Sequence, residues 1–231
     1  LRAAAFLDKG GTGKPTTIAH LGVALAHLDQ DVLALDLAGK QGDLGKHLGV
    51  CGEYAEQIAA DEAWPTIAEK LGDRAVADLI LETAEGVDLI PAHPGLDSLD
   101  ADLGNVDDAH EQYTRLEGFF DEYVDPLGYD VVLIDLPGLA NNVAYNGLWA
   151  ATNVLAPVEM GPFEAEQASA LREDLEKIAD TFDVEVSLVP PNKVDTRTTL
   201  TDEYLAAPRG QTDHGDRPKE GAPDDSRGEV R

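Results

Sequence analysis

The chain has 231 residues, is 43% hydrophobic, and carries 17 basic against 45 acidic residues for a formal net charge of −28. That is enough apolar material for one sizeable core, yet no apolar run approaches the roughly 18 residues that span a bilayer. A single cysteine, Cys51, excludes an intramolecular disulfide, and the opening "LRAAAFLDKGG" lacks the long apolar stretch of a secretory leader. A reducing cytoplasm is therefore the expected setting. Residues 206–231 hold five basic and six acidic residues, so the acid is spread over the first 205. Such a surface repels itself and anionic partners at low salt, and screening relieves the repulsion. A halophilic source is expected.

In chain order, "AAAFL" (3–7), "DVLALD" (31–36), "VDLIP" (87–91), "DVVLID" (130–135), "NVLAPV" (153–158) and "VEVSLV" (184–189) read as strands. They are largely continuous apolar runs, as strands buried on both faces should be. Between them lie predicted helices near 15–28, 65–83, 107–124, 142–150 and 163–182. In the last, Phe163, Ala170, Leu171, Leu175, Ile178, Ala179 and Phe182 keep a helical period. This alternation predicts an α/β fold of three layers, a mostly parallel sheet with helices on both faces. Ligands of such sheets bind beyond the carboxyl ends of the strands. Residues 206–231, rich in glycine, proline and charge, read as a polar, disordered tail.

The first strand runs into "DKGGTGKPTT" (8–17) and then a helix. Glycines let a backbone turn tightly and aim amide hydrogens at phosphate oxygens, and the helix N-terminus adds its positive end. Lys14 supplies a full charge to the outer phosphates. Asp8 stands where the generic phosphate-loop pattern has its first glycine. The narrower stretch "KGGTGK" resembles the deviant Walker A loop of the ParA/MinD family of P-loop ATPases. The likeness continues through "AHLGVALAHLDQDVLALD", "GYDVVLIDLPG" and "NVLAPVEMGPFEAEQASAL", from about residue 2 to 205. It implies a P-loop NTPase domain over 1–205, followed by the tail at 206–231 and C-terminally truncated relative to the family. It also implies ATP and Mg²⁺ as cofactors. Gly10, Gly11, Thr12, Gly13, Lys14, Thr16 and Thr17 would cradle the phosphates. The family's extra lysine falls on Lys9, which would reach the phosphates across a nucleotide-sandwich homodimer and act in catalysis.

Asp36 ends the second strand and matches the first acid of the family's D-x-D-P-Q-G, a catalytic and metal-site position. The second acid, which positions the attacking water, is replaced by Ala38. Asp43 lies close by and is a candidate substitute. Asp135 ends "DVVLID" where a carboxylate holds Mg²⁺ through water, and Pro137-Gly138 begins the second switch loop. Asn192 in "PNKVD" would contact adenine by the family likeness. The same letters, Asn192, Lys193 and Asp195, also fit the N-K-x-D box that reads guanine, so both bases stay open. His20, His27, His47, His93, His110 and His214 are scattered without companions at metal-ligand spacing.

Pro15 is the main departure. The family residue here gives a hydroxyl to Mg²⁺ and an N–H to a phosphate, and proline can give neither. It suits the first turn of a helix, so the helix should form while the site loses a ligand. Thr16 lies about 100° further around the axis and cannot simply replace it, though it can serve the α-phosphate. The resemblance implies an ATP-dependent dimer switch in partition or intracellular positioning, an ATPase if active, with hydrolysis impaired by Pro15. The alternatives are a nucleotide-sensing interaction protein without turnover and a GTPase. Implied partners are a second copy, a ParB-like stimulating protein and, weakly, non-specific DNA, since the net charge opposes that contact. The tail has no amphipathic helix, so no stable membrane anchor is expected.

Overall fold

Strands β1 (Arg2–Ala5), β2 (Val32–Asp36), β3 (Leu81–Glu82), β4 (Asp88–Ile90), β5 (Val131–Asp135), β6 (Asn153–Leu155) and β8 (Glu185–Leu188) form one sheet. Its order is β3-β4-β2-β5-β1-β6-β8. β7 (Val158–Glu159) and β9 (Pro191–Asn192) make a separate parallel pair. The computed structural model describes residues 1–7, 10–38, 42–50, 76–92, 96–159, 173–174 and 176–193, all within the compact unit Leu1–Val194.

The apolar runs set the layers. Every residue of β2 and β5 is buried. Side chains alternate across a strand, so Val131 and Leu133 enter one core while Val132 and Ile134 enter the other. The first core packs under α1 (Lys14–Ala26) and α2 (Asp43–His47) through Ile18, Ala19, Leu44 and Leu48. The second packs under α3 (Leu96–Gly104), α4 (Ala109–Phe119) and α5 (Asn142–Ala150) through Leu99, Leu103, Leu116, Phe119, Val143 and Leu148. The three layers and the mostly parallel sheet are as the sequence predicts.

Helix ends follow local chemistry. The Asp108 side chain accepts the Glu111 N–H at 2.9 Å and starts α4, while Asn141 accepts the Ala144 N–H at 2.9 Å and starts α5. The predicted 107–124 helix continues past α4 as a π-turn, Phe120–Val124, and a 3₁₀ turn, Asp125–Leu127. It stops at Gly128, which takes φ 82°. Residues 176–182 are helical, and Ile178 and Phe182 pack on the second core.

Some expectations need correction. Of the helix predicted at 65–83, residues 65–75 lie outside the described residues, and 76–79 form a 3₁₀ turn. Leu81–Glu82 is a strand, paired antiparallel with β4. The turn Thr83–Gly86 decides this: Gly86 adopts φ 76° and the Thr83 hydroxyl donates to Val87 O at 2.7 Å, which folds the chain back. The strand predicted at 153–158 divides into β6 and β7, and β8 is largely exposed rather than buried on both faces. The short helix α2 and the helix α3 were not expected.

Register places the functional end. Asp36 of β2 and Ala5 of β1 are both Cα partners of Asp135 in β5. Three central strands therefore stop side by side, and the chain leaves all three at the same end of the sheet, where ligands of such sheets bind.

Candidate nucleotide-binding site

The loop after β1 enters α1 through Gly13, which takes φ 86° with no side-chain cap on the helix. Gly11, at φ 76°, is also left-handed. The first turn, Lys14-Pro15-Thr16-Thr17, contains no acid. Uncapped amides and an acid-free first turn are what an anion requires of a helix N-terminus. Lys14 is 5% exposed, and its Nζ donates to Leu7 O at 3.4 Å. A Cβ on Gly138 would lie 3.3 Å from Gly10 Cα and 3.6 Å from Lys14 Nζ. The loop after Asp135 thus lies directly against the glycine loop.

The bare Gly13 also leaves space that the Asn192 amide occupies. A Cβ there would displace the Asn192 side-chain amide. The β7–β9 pair brings Asn192 into register with Glu159 and over the loop. Its Nδ2 donates to Thr12 O at 2.8 Å, and its Oδ1 accepts the Lys193 N–H at 2.9 Å. Asn192 therefore clamps the glycine loop from a strand 180 residues away in sequence. Thr12 is buried, and its hydroxyl has no hydrogen-bond partner among the described residues.

Asp36 and Asp135 form the other half of the site. Both are essentially fully buried. Asp36 Oδ1 accepts the Ala38 N–H at 3.0 Å. Asp36 Oδ2 and both Asp135 oxygens have no hydrogen-bond partner among the described residues. Burial pushes the Asp36 carboxyl up to about 6, against the pull of the Ala38, Gly45 and Leu44 amides. Asp135 is raised well above the carboxylate range by burial and then by the Asp36 charge, and Lys14 opposes the rise. Unpartnered buried carboxylate oxygens are costly unless a cation or its waters complete them. The pair therefore fits a divalent cation placed between the strand tips and a phosphate chain on the loop.

The remaining predicted residues fall around this centre. The Thr17 N–H donates to Gly13 O at 2.9 Å, the first intrahelical bond of α1. Thr16 Oγ1 lies 3.2 Å from His47 Nε2, a contact that no local motif announces. Asp43 pairs with Lys46 at 2.8 Å, and its charge pushes both Asp36 and Asp135 upward. Lys9 and Asp195 lie outside the described residues.

The family described as AAA domain matches residues 3–188. The chromosome partitioning protein ParA of Caulobacter vibrioides (strain NA1000 / CB15N) is 30% identical over 199 residues, covering 85% of this chain and 70% of its own. The chain belongs to the ParA/MinD family of P-loop ATPases. A second ParA-type relative, the chromosome-partitioning ATPase Soj of Thermus thermophilus, is 30% identical over 177 residues, 77% of this chain and 62% of its own. Among solved structures, cobyrinic acid a,c-diamide synthase from Mycobacterium smegmatis, with bound ATP analog and magnesium, superposes with a TM-score of 0.70. That match is 26% identical and covers 88% of this chain and 79% of the other.

Within this ParA-type site, the Asn192 amide holds the loop on which phosphates would rest. Asn192→Ala is expected to weaken nucleotide binding about five- to tenfold, the value of one net hydrogen bond. Isothermal titration with ADP checks this. An affinity equal to the wild type would show that the loop holds its shape without the clamp.

Proposed function

We propose that the chain binds ATP with Mg²⁺ at this site and uses the nucleotide to switch its self-association, in a partition or positioning system, with hydrolysis slowed by Pro15. One observation carries the reading: an uncapped glycine loop with a buried lysine faces two buried carboxylates whose oxygens lack partners among the described residues. Amides of Gly10 to Gly13 and the N-terminus of α1 would hold the phosphates, with Lys14 and the hydroxyls of Thr16 and Thr17 around them. Asp135, and Asp36 beside it, would hold the metal through water. Mg²⁺ bound there would neutralise charge developing on the phosphates. Lys9 would complete the site across a homodimer, and Asn192 would lie beside the base.

Two absent groups favour a second reading, a nucleotide sensor without turnover. Pro15 brings neither hydroxyl nor N–H to the metal and phosphate, and Ala38 brings no carboxylate to a water. A ParB-like stimulating partner and weak DNA contact accompany the first reading, with residues 1–205 as the nucleotide-binding domain and the cytoplasm as its setting. No helix among the described residues is long and apolar enough to cross a membrane.

The test is binding, dimerisation and phosphate release on one preparation, in molar KCl, with and without Mg²⁺, using ATP and GTP side by side. Tight Mg-dependent ATP binding with slow release and nucleotide-dependent dimers is the expected result. Binding without any turnover selects the sensor, and tighter GTP binding selects guanine. A halophilic origin further requires stability to rise with KCl on the same preparation, because salt screens a net charge of −28.

A further inference from the structure

α2 directly follows the loop that leaves Asp36, and it leans on the start of α1. Leu44 and Leu48 share a core with Ile18 and Ala19. At the last residue of α2, exposed His47 places Nε2 3.2 Å from Thr16 Oγ1. The Thr16 backbone has an imidazole contact as well, because His20 Nδ1 lies 2.8 Å from the Thr16 carbonyl oxygen and donates to it. One residue in the first turn of the phosphate helix thus contacts two imidazoles from different helices.

A threonine hydroxyl has one proton to donate and two lone pairs to accept with. If His47 carries its proton on Nε2, it donates to Thr16 Oγ1 and occupies one lone pair. The hydroxyl proton then turns away from the imidazole and remains available to an acceptor. In the first turn of α1, that acceptor would be a phosphate oxygen. Pro15 makes this more consequential, since the residue before Thr16 has no donor at all. We propose that His47 is a positioning residue for the nucleotide: by donating to the Thr16 hydroxyl it aims that hydroxyl's proton at a bound phosphate, and so couples the segment after Asp36 to the phosphate loop. The proposal rests on the nucleotide-binding reading above.

The experiment is a double-mutant cycle on the full chain, with ADP as the probe and Mg²⁺ present, read by isothermal titration. Thr16→Val and His47→Ala are each expected to weaken ADP about five- to tenfold. The double variant should be no weaker than Thr16→Val alone, because His47 acts only through that hydroxyl. His47→Gln, whose amide nitrogen can stand where Nε2 stands, should recover most of the affinity. Melting midpoints of all variants separate this from a contact that merely holds α2 in place, which would lower the midpoint and leave the cycle additive. Additive penalties, or wild-type affinity in His47→Ala, would overturn the proposal while leaving nucleotide binding intact. No saturable ADP binding by the wild-type chain would remove the underlying reading and the proposal together.

Discussion

Asp36→Asn is expected to stabilise the nucleotide-free protein at pH 8 by roughly 3 kcal/mol, while weakening its Mg-dependent nucleotide binding. The cause is burial. The folded state holds the Asp36 proton up to about pH 6, whereas the unfolded chain releases it near the ordinary value of 3.8. A raised acid makes the folded state the better proton binder between those values, so stability falls as pH rises through that window. Below about pH 4 both states are protonated and the penalty is absent; above about pH 6 it is present in full. Asparagine keeps the oxygen that accepts the Ala38 N–H and removes the titration. Urea unfolding from acid to mildly alkaline pH at fixed KCl should therefore show the two proteins converging at the acid end and separating toward the alkaline end. Parallel curves would mean the Asp36 carboxylate is not strained in the empty site. Asp135 is raised in the same direction, so some slope should persist in the variant. The stability given up by this carboxylate pair is what a bound cation would restore.

Pro15→Thr is expected to raise phosphate release at saturating Mg-ATP at least tenfold, equivalent to about 1.4 kcal/mol of barrier. The substitution returns a hydroxyl and a backbone N–H next to Lys14, the groups that the family likeness implies for the metal and a phosphate. Proline is favoured in a first helical turn, so replacing it costs at most about 1 kcal/mol of stability. Turnover, rather than folding, is therefore the informative measurement. An unchanged rate would show that the lost ligand does not limit the reaction. The site has a second deficit at Ala38, and Pro15→Thr combined with Ala38→Asp then discriminates a slow enzyme from a sensor. If the double variant is also silent, the non-hydrolysing reading stands.

Much of the site is legible in the chain because it is encoded locally. The glycine loop, Lys14 and α1 occupy one stretch, and the strand tips at Asp36 and Asp135 end unmistakable apolar runs. Expectation and structure part where apolar periodicity is weak. Around Leu81, a run that reads as helix is a short strand because Gly86 closes a hairpin on β4. The helix α3 is hidden in "LDSLDADLG", whose acids obscure the buried Leu96, Leu99 and Leu103. For α4 a usable signal is present: Asp108 followed by Glu111 is the spacing of a capped helix start.

The amino-acid sequence by itself determined the family, the phosphate loop, the alternation of strands and helices, and the groups missing at Pro15, a hydroxyl and an N–H, and at Ala38, a carboxylate. Each depends on neighbours within a few residues, or on what a side chain lacks wherever it is placed. The tertiary structure alone decided that Asp36 and Asp135 stop in register with oxygens unpartnered among the described residues, that the Asn192 amide holds Thr12 and lies where a Cβ on Gly13 would, and that His47 meets Thr16. Strand order and register set those distances, and they join residues far apart in the chain. A carboxylate's environment, and hence its proton, follows from such neighbours and not from its position in the sequence.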